Sequence, residues 1–283
     1  MFNYMEADTV KAISDTVAQT NSKSDSGWIL HHILDAKYLD FEPFGRIPLP
    51  ELHLFGIDIS ITKHVVFMWI SLLLLLVIFY FVGKSYKKSR VPKGFSNMIE
   101  LLVVFVRDDI ARPTIGKGYE KFLPYLLTVF FFILTANFLG LVPYSATATS
   151  NISVTATLAI ISFVVIQAGG IMKNGVFGYF KGLIPHGVPV FLLPIMFVVE
   201  LLGLFTKPFA LAIRLFANMT AGHIVILALI GLIFILKTIF VAPVSIAFAL
   251  FIYLLEILVA LIQAYIFTML SSLFIGMAVH QEH

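Results

Sequence analysis

The sequence predicts an all-α integral membrane protein with about 5–6 membrane helices, one of them an amphipathic helix on the membrane surface. Hydrophobic residues make up 59% of the 283 residues and charged residues 12%, and the mean hydropathy is +0.97, which excludes a soluble globular domain. The absence of cysteine excludes disulfides and thiol catalysis. A dispersed net charge of +3 does not indicate nucleic-acid binding.

The chain divides into three predicted regions. Residues 1–27 are polar and rich in Ser, Thr, Asp and Asn, and we expect them to form a flexible external tail. Residues 28–63 contain three prolines and alternating aromatic residues, which favour a short ordered external segment of helix turns and extended strands. Residues 64–283 are expected to form a single transmembrane domain.

Basic residues orient this domain. The first predicted span, residues 64–83, is followed at once by five of them: Lys84, Lys87, Lys88, Arg90 and Lys93. Because the cytoplasmic ends of spans carry an excess of Lys and Arg, we expect the N-terminus outside the membrane. Further spans are predicted at residues 122–142 and 152–172, and the lysines after the second of these fit the same orientation.

Residues 94–112, between the first two spans, combine apolar residues at helical spacing with internal charges. The apolar positions are Phe95, Met98, Ile99, Leu102, Val103 and Val106. Polar side chains, among them Glu100 and Arg107, oppose deep insertion into the bilayer. The pattern predicts an amphipathic helix on the cytoplasmic surface.

Two apolar segments near the C-terminus are too long for ordinary spans. They cover about residues 188–236 and 239–279, and a helix of about 40 residues is about 60 Å long, roughly twice the hydrocarbon thickness. Each segment is therefore either a pair of short spans, broken at Lys207–Pro208 or near Glu256, or one steeply inclined helix. The pattern alone does not decide between these alternatives.

Arg214 lies in an apolar run from Phe209 to Leu236 in which no neighbouring residue can neutralise it. A guanidinium remains charged at physiological pH, and near the bilayer centre it costs roughly 3 kcal/mol on insertion scales and about ten or more in simulations of an isolated helix. Such a residue indicates a functional site with a carboxylate supplied from elsewhere. The structural alternative is an arginine that snorkels to the interface.

Small side chains surround Arg214 on its helical face. At spacings of three, four, seven and eleven residues this face contains Gly203, Lys207, Ala210, Ala217, Asn218 and Ala221. Because small residues allow another helix to approach closely, this stripe is predicted to contact a packed partner rather than lipid. A similar stripe on the second long segment consists of Ala249, Tyr253, Glu256, Ala260 and Gln263.

Three other ionisable residues are candidate proton carriers. His223 lies nine residues after Arg214, on the opposite side of the same helix, and Glu256 lies in the second long segment. A buried histidine or a desolvated glutamate can exchange protons near neutral pH. Glu200, fourteen residues before Arg214, lies on almost the same face and is a further candidate. A hydrogen-bonded structural pair is the alternative for His223 and Glu256.

Several motifs together resemble the a subunit of rotary F-type ATP synthases. They are ELLGLFTKPFALAIRLFANMTAGH from Glu200 to His223, the later Glu256, QAYIF from Gln263, NFLGLVP from Asn137 and SNISVTATLA from Ser150. The resemblance runs from roughly Trp28 to the C-terminus. It implies a stator protein beside a rotating ring of c subunits. It also implies that the last two long segments form a strongly inclined C-terminal helical hairpin against that ring.

The resemblance implies roles for individual residues. Two offset proton half-channels would lead to the essential carboxylates of the ring. Arg214 would attract each deprotonated carboxylate and block direct leakage between the half-channels. Asn218 and Gln263 would line the contact with the ring near Arg214. His223 and Glu256 would form a proton relay on the facing helices of the hairpin.

The acid and the imidazole of this relay are exchanged relative to part of the family. Several bacterial members carry glutamate at the position of His223 and histidine at that of Glu256, and the present order resembles the mitochondrial one. We expect the same relay with its positions exchanged. Asn137 lies at a span end, where it either hydrates the external half-channel or has the structural role of a cap.

The implied partners are the c-ring, the peripheral stalk b subunits, the remaining ATP synthase subunits and membrane lipid, with no cofactor and no nucleotide site in this chain. A bacterial inner (plasma) membrane is the expected location. The alternative function is a secondary transporter or proton channel with an anion-binding arginine, which would need broken helices in repeated halves. The sequence has no internal repeat and no HExxH, GxSxG or phosphate-binding Gly-rich motif, so an enzyme is not expected.

Overall fold

The computed structural model describes residues 35–36, 38–40, 45–50, 53–54, 57–58, 60–88, 94–142, 145–182, 191, 193–236 and 239–280. The helices in this part of the chain are α1 (Lys63–Lys88), α2 (Phe95–Phe105), α3 (Arg112–Ile115), α4 (Leu123–Gly140), α5 (Ile152–Lys181), α6 (Leu193–Leu236) and α7 (Ala242–Val279). Five of these described helices, all but α2 and α3, are long and apolar enough to cross a membrane. The predicted fold class, a helical membrane protein, is confirmed.

The described residues before α1 form two short antiparallel β-hairpins. Strand β1 (Tyr38–Asp40) pairs with β2 (Arg46–Pro48), and β3 (His53–Leu54) pairs with β4 (Ile57–Asp58). These strands agree with the extended segments expected between residues 28 and 63. The predicted tail, residues 1–27, lies outside the described residues, and the proposed domain boundaries stay predictions.

The amphipathic segment is a continuous helical run made of α2, a π-helical turn at Val106–Ala111, and α3. Its second half is buried against α4 and α7 through Val106, Ile110, Ala111 and Ile115. Large apolar side chains of its first half are at least half exposed: Phe95, Met98 and Leu101. Hydrogen bonds from Arg107 lower the pKa of the Asp108 carboxyl. The helix therefore anchors to the bundle at one end, and the surface position of the other end stays a prediction.

A tight loop joins α4 to α5 and folds back onto α4. A Cβ atom at Gly140 would collide with the side chain of Thr147, so glycine is required for this close approach. The amide oxygen of Asn151 accepts a hydrogen bond of 2.8 Å from the Ser153 N–H and caps α5. Helix α5 continues past its predicted end at Met172 to Lys181, across a kink at Gly175, where φ is 71°.

The two long C-terminal segments are continuous helices. Helix α6 has 44 residues, with Pro208 inside it, and α7 has 38 residues. At 1.5 Å per residue they are about 66 Å and 57 Å long, so each fits a hydrocarbon core of roughly 30 Å only when strongly inclined. This continuity excludes the alternative of broken short spans.

Helices α6 and α7 pack antiparallel along most of their length. Contacts from one end to the other join Ser245 with Leu229, Glu256 with His223, Gln263 with Asn218, and Phe274 with Lys207. Helix α7 also contacts α3, α4 and α5, so it is the central helix of the bundle. Small and hydroxyl side chains allow this close packing, as in the hydrogen bond of 2.9 Å between Ser162 and Ser271.

Candidate proton-transfer site

Arg214 lies on the side of α6 that faces away from the helix bundle. The side chains of α6 that pack into the bundle here are Leu211, Ala212, Leu215 and Met219. On the other side are four exposed residues, which we call the outer stripe: Ala210, Arg214, Ala217 and Ala221. No acidic side chain of the described residues forms an ion pair with Arg214. The outer stripe is therefore an open surface of small side chains around one permanent positive charge.

The corresponding stripe of α7 is buried. Its members, which we call the inner stripe, are Ala249, Tyr253, Glu256, Ala260 and Gln263. All are buried except Tyr253, which is partly buried and donates a hydrogen bond of 3.2 Å to the Leu141 carbonyl. Helices α4 and α6 cover this stripe. Its polar groups therefore find their partners within the chain.

His223 and Glu256 form a close pair between α6 and α7. His223 Nδ1 lies 2.7 Å from Glu256 Oε1, and the carboxylate side chain is 2% exposed against 29% for the imidazole. Gly222 makes room for the carboxylate, because a Cβ there would lie 2.9 Å from Glu256 Oε1. Glu256 Oε2 is buried and has no hydrogen-bond partner among the described residues. The pair thus combines one partly exposed ring with one buried carboxylate, two groups that can exchange a proton with each other.

Asn218 and Gln263 connect the outer stripe to the inner stripe. Asn218 Nδ2 donates a hydrogen bond of 2.8 Å to Gln263 Oε1. Gln263 is buried, whereas Asn218 is exposed and lies one helical turn from Arg214. The pair places an amide at the edge of the surface that carries Arg214.

Asn137 is fully buried, and both the oxygen and the nitrogen of its side-chain amide form hydrogen bonds. Its Oδ1 accepts a hydrogen bond of 2.6 Å from Thr149 Oγ1, and its Nδ2 donates one of 3.4 Å to the Ala260 carbonyl. Ala260 is one turn of α7 from Glu256. Asn137 thus ties the loop before α5 to α7, close to the His223–Glu256 pair.

Glu200 lies apart from the other acidic candidate. Its Oε1 is 3.7 Å from Lys207 Nζ, and both residues line a cavity of about 370 Å³ between α5, α6 and α7. Glu200 precedes His223 by 23 residues of one helix, a separation of about 35 Å. The structure therefore does not bring Glu200 to the His223–Glu256 pair.

Sequence reasoning missed three polar features: the pairing of Lys207 with Glu200, and the roles of Thr149 and Gln167. Lys207 pairs with Glu200, Thr149 holds Asn137, and Gln167 lines the cavity beside Glu200. Gln167 carried a signal, because an amide inside an apolar span is costly and indicates a role. Thr149 carried none, because hydroxyl residues are ordinary in a loop. The described residues contain no group of three or more His, Cys, Asp or Glu that could hold a metal ion.

These features define a class of protein: a helical membrane protein with one permanent cation on an open face and ionisable residues on both sides of it along the same helix. Residues 65–276 match the family model for the ATP synthase A chain, and the chain belongs to that family. It is therefore a multi-pass membrane subunit of an ATP synthase, with other ATP synthase subunits as its partners, and not a catalytic subunit.

Individual relatives agree with this assignment. The chain is 59% identical over 258 residues to the ATP synthase subunit a of Chloroherpeton thalassium, covering 90% of this chain and 77% of that protein. It is 54% identical over 282 residues to the ATP synthase subunit a 2 of Prosthecochloris aestuarii, covering 98% and 87% of the two chains. The ATP synthase subunit a of Myxococcus xanthus is 54% identical over 229 residues, covering 80% and 75%.

Proposed function

We propose that this chain is the stator subunit of a rotary F-type ATP synthase, which provides two proton half-channels to a ring of c subunits and the arginine that couples proton translocation to rotation. The observation that carries the proposal is Arg214, exposed among the small residues of the outer stripe and without a carboxylate partner in the described part of the chain. A guanidinium in apolar surroundings requires a counter-charge. The outer stripe allows a neighbouring helix to bring one close.

Arg214 acts only on the deprotonated form of a ring carboxylate. Two opposite charges about 4 Å apart attract each other by about 4 kcal/mol at an effective dielectric constant of 20, whereas a protonated carboxyl loses this attraction. A carboxyl that approaches Arg214 is therefore driven to release its proton. Because the guanidinium is always charged, it also repels a proton that would cross from one half-channel to the other. Rotation of the ring becomes the permitted route.

The two half-channels approach Arg214 from opposite ends of α6. His223 lies nine residues after Arg214, a distance of about 14 Å along the helix, and Glu200 lies fourteen residues before it, about 21 Å away. We assign the His223–Glu256 pair, with Asn137, Asn218 and Gln263 nearby, to one half-channel. We assign Glu200 to the other.

The basic residues suggest which half-channel faces which side. Lys173 and Lys181 belong to the C-terminal part of α5, at the end of the bundle that contains the Glu200 cavity. By the positive-inside rule this end is cytoplasmic. The His223–Glu256 pair then belongs to the external half-channel, and the N-terminus lies outside a bacterial inner membrane. The partners in this arrangement are the c-ring and the peripheral stalk b subunits.

The deciding experiment is ATP-driven acidification of inside-out vesicles that carry the complex, comparing the wild type with Arg214→Ala. We expect Arg214→Ala to abolish pumping while the rotor remains assembled, and Arg214→Lys to show whether charge alone is sufficient. Passive proton leak after removal of the soluble head is measured in the same vesicles. Retained pumping in Arg214→Ala would overturn the proposal.

A secondary transporter with an anion-binding arginine is less well supported. Such a protein would hold the arginine in a substrate cavity formed by broken helices, but Arg214 is exposed on the outer face of an unbroken helix. Co-purification distinguishes the two functions. The stator subunit should purify with a c-ring and a peripheral stalk, whereas a transporter should purify alone or as a homo-oligomer.

A further inference from the structure

Four polar residues connect the beginning of α1 to the loop between α4 and α5. They are Asp35, His64, Thr147 and Asn151, and we call them the loop latch. His64 Nδ1 lies 3.1 Å from the carbonyl oxygen of Thr147, and His64 Nε2 lies 3.9 Å from Asp35 Oδ1. Asp35 Oδ2 accepts a hydrogen bond of 3.3 Å from Asn151 Nδ2. The loop latch therefore joins the segment before α1, and the first turn of α1, to this loop.

The contact between His64 and the loop is a buried hydrogen bond with one possible direction. The imidazole is 4% exposed. Because a carbonyl oxygen can only accept, His64 Nδ1 carries the hydrogen and donates it to Thr147. The same carbonyl accepts a hydrogen bond of 3.0 Å from the Ser150 N–H, which closes the short helical turn Ala148–Ser150. His64 thus binds the oxygen that closes this turn.

The turn that His64 binds also carries the side chain that orients Asn137. Thr149, inside the turn, is fully buried and donates the 2.6 Å hydrogen bond to Asn137 Oδ1. The other hydrogen bond of Asn137, from Nδ2 to the Ala260 carbonyl, is 3.4 Å long, which exceeds the usual range of about 2.7–3.2 Å. The orientation of the Asn137 amide therefore depends mainly on Thr149, and hence on the position of the turn.

Ser71, the next buried polar residue considered on α1, differs from His64 in where its hydrogen bond goes. Its hydroxyl donates a hydrogen bond of 2.8 Å to the Phe67 carbonyl of the same helix, which is the local solution open to a serine in any helix. His64 donates to a residue 83 positions away in the sequence. Because burying an imidazole is costly unless its polar atoms are bonded, the burial of His64 depends on the place of the loop, and the place of the loop on His64.

We propose that His64 is a positioning residue for proton transfer: by fixing the turn Ala148–Ser150, it keeps Asn137 against α7. There the Asn137 amide contacts Ala260, one turn of α7 from Glu256. Loss of the His64 hydrogen bond frees the turn, and Thr149 then no longer orients Asn137. This proposal rests on the proposed function, in which Asn137 and Glu256 belong to one half-channel. His64 carries no proton along the path and acts through the turn.

The first test measures passive proton flux through vesicles stripped of the soluble head, divided by the amount of assembled subunit. His64→Leu removes the donor at similar volume and should lower the flux about fivefold, the size of one lost hydrogen bond. His64→Asn should restore most of the flux, because its amide nitrogen is as many bonds from Cα as Nδ1 is. Ser71→Ala is the matched control on α1 and should leave the flux unchanged.

The rescue by asparagine separates a positioning role from a general loss of stability. Equal flux in His64→Asn and His64→Leu would overturn the proposal, because the donated hydrogen bond would then have no effect of its own. A loss of flux that only follows a loss of subunit from the membrane would also overturn it. So would an equal loss in Ser71→Ala.

A double variant tests whether His64 acts through the turn. Thr149→Val removes the hydroxyl that orients Asn137 at nearly constant volume. His64→Leu should add little to the loss of flux caused by Thr149→Val, whereas the fold-changes of two independent effects would multiply. Multiplied losses would overturn the proposal.

Asn137→Leu distinguishes a failure of this inference from a failure of the proposed function. We expect reduced flux in both Asn137→Leu and His64→Leu. Reduced flux in Asn137→Leu with full flux in His64→Leu refutes the role of His64 alone. Full flux in Asn137→Leu refutes the role assigned to Asn137 under the proposed function.

Discussion

The outer stripe of α6 and the inner stripe of α7 have the same sequence character and opposite environments. Both combine alanines with polar side chains at helical spacing. The inner stripe is covered by helices of its own chain, and Glu256 and Gln263 find partners there. The outer stripe is exposed, and Arg214 has no ion-pair partner among the described residues. A stripe of small residues therefore predicts a close helix contact, but not whether the contacting helix belongs to the same chain.

Replacing alanine by leucine should have the largest effects. On the inner stripe it should destabilise the subunit, and on the outer stripe it should abolish pumping. Ala260→Leu inserts a large side chain where α7 is fully buried, and overpacking of this kind costs about 1–3 kcal/mol or more. We expect the subunit to be lost from the membrane. Ala217→Leu, on the exposed stripe, should leave subunit content normal and abolish ATP-driven pumping. Immunoblots of membranes together with pumping assays measure both outcomes.

Phe209→Leu is the control for this pair, because Phe209 is exposed on α6 and outside the outer stripe. It should change neither subunit content nor pumping. If Ala217→Leu pumps normally, the outer stripe is not a close helix contact and the comparison fails.

Variants of the His223–Glu256 pair test whether the buried inner stripe of α7 takes part in proton transfer. Removing one partner, as in Glu256→Gln, should lower pumping about a hundredfold, because proton transfer by a positioned side chain contributes about that much. The exchanged variant, His223→Glu with Glu256→His, keeps one acid and one imidazole and should recover a substantial part of the activity. A purely structural pair would show equal pumping per assembled complex in wild type and Glu256→Gln.

A substitution at Gly222 tests whether proton transfer depends on the geometry of the same pair. A methyl group at this position would lie 2.9 Å from Glu256 Oε1 and 3.0 Å from its Cδ, so Gly222→Ala must displace the carboxylate from the imidazole. We expect a loss of pumping about tenfold smaller than that of Glu256→Gln, since the groups remain present but misaligned. Gly83→Ala on α1, where the added methyl group also meets nothing within 4 Å, is the control. Similar activity in the two variants would contradict this role of Gly222.

The amide pair between the stripes should give the smallest effect. Asn218→Ala leaves the buried Gln263 without its donor, and an unsatisfied buried group costs about 1–3 kcal/mol. The double variant Asn218→Ala with Gln263→Leu removes both polar groups and should recover most of that loss. The midpoint of heat-induced dissociation of the purified complex measures both. No recovery in the double variant would mean that the hydrogen bond is not the source of the effect.

The sequence predicted the individual residues of the candidate site but not how they are arranged. Arg214, Glu200, His223 and Glu256 stand out because ionisable side chains are rare in apolar runs. Their arrangement was not predictable, because Glu256 is 33 residues from His223 along the chain and Asn137 is 123 residues from the carbonyl it contacts. Helical periodicity indicates which face a residue occupies, whereas the helix that packs against that face depends on the whole bundle.

The sequence by itself determined the class of this protein, its membrane segments and the residues that carry charge within them. Composition and apolar length are properties of the chain, and the cost of charge in hydrocarbon does not depend on the fold. Only the tertiary structure decided that α6 and α7 are unbroken, that Glu200 pairs with Lys207, and which of two similar stripes is covered. The physical reason is that backbone hydrogen bonds and helix propensity tolerate either a break or a continuation at Pro208. The packing of α6 along α7 decides between them.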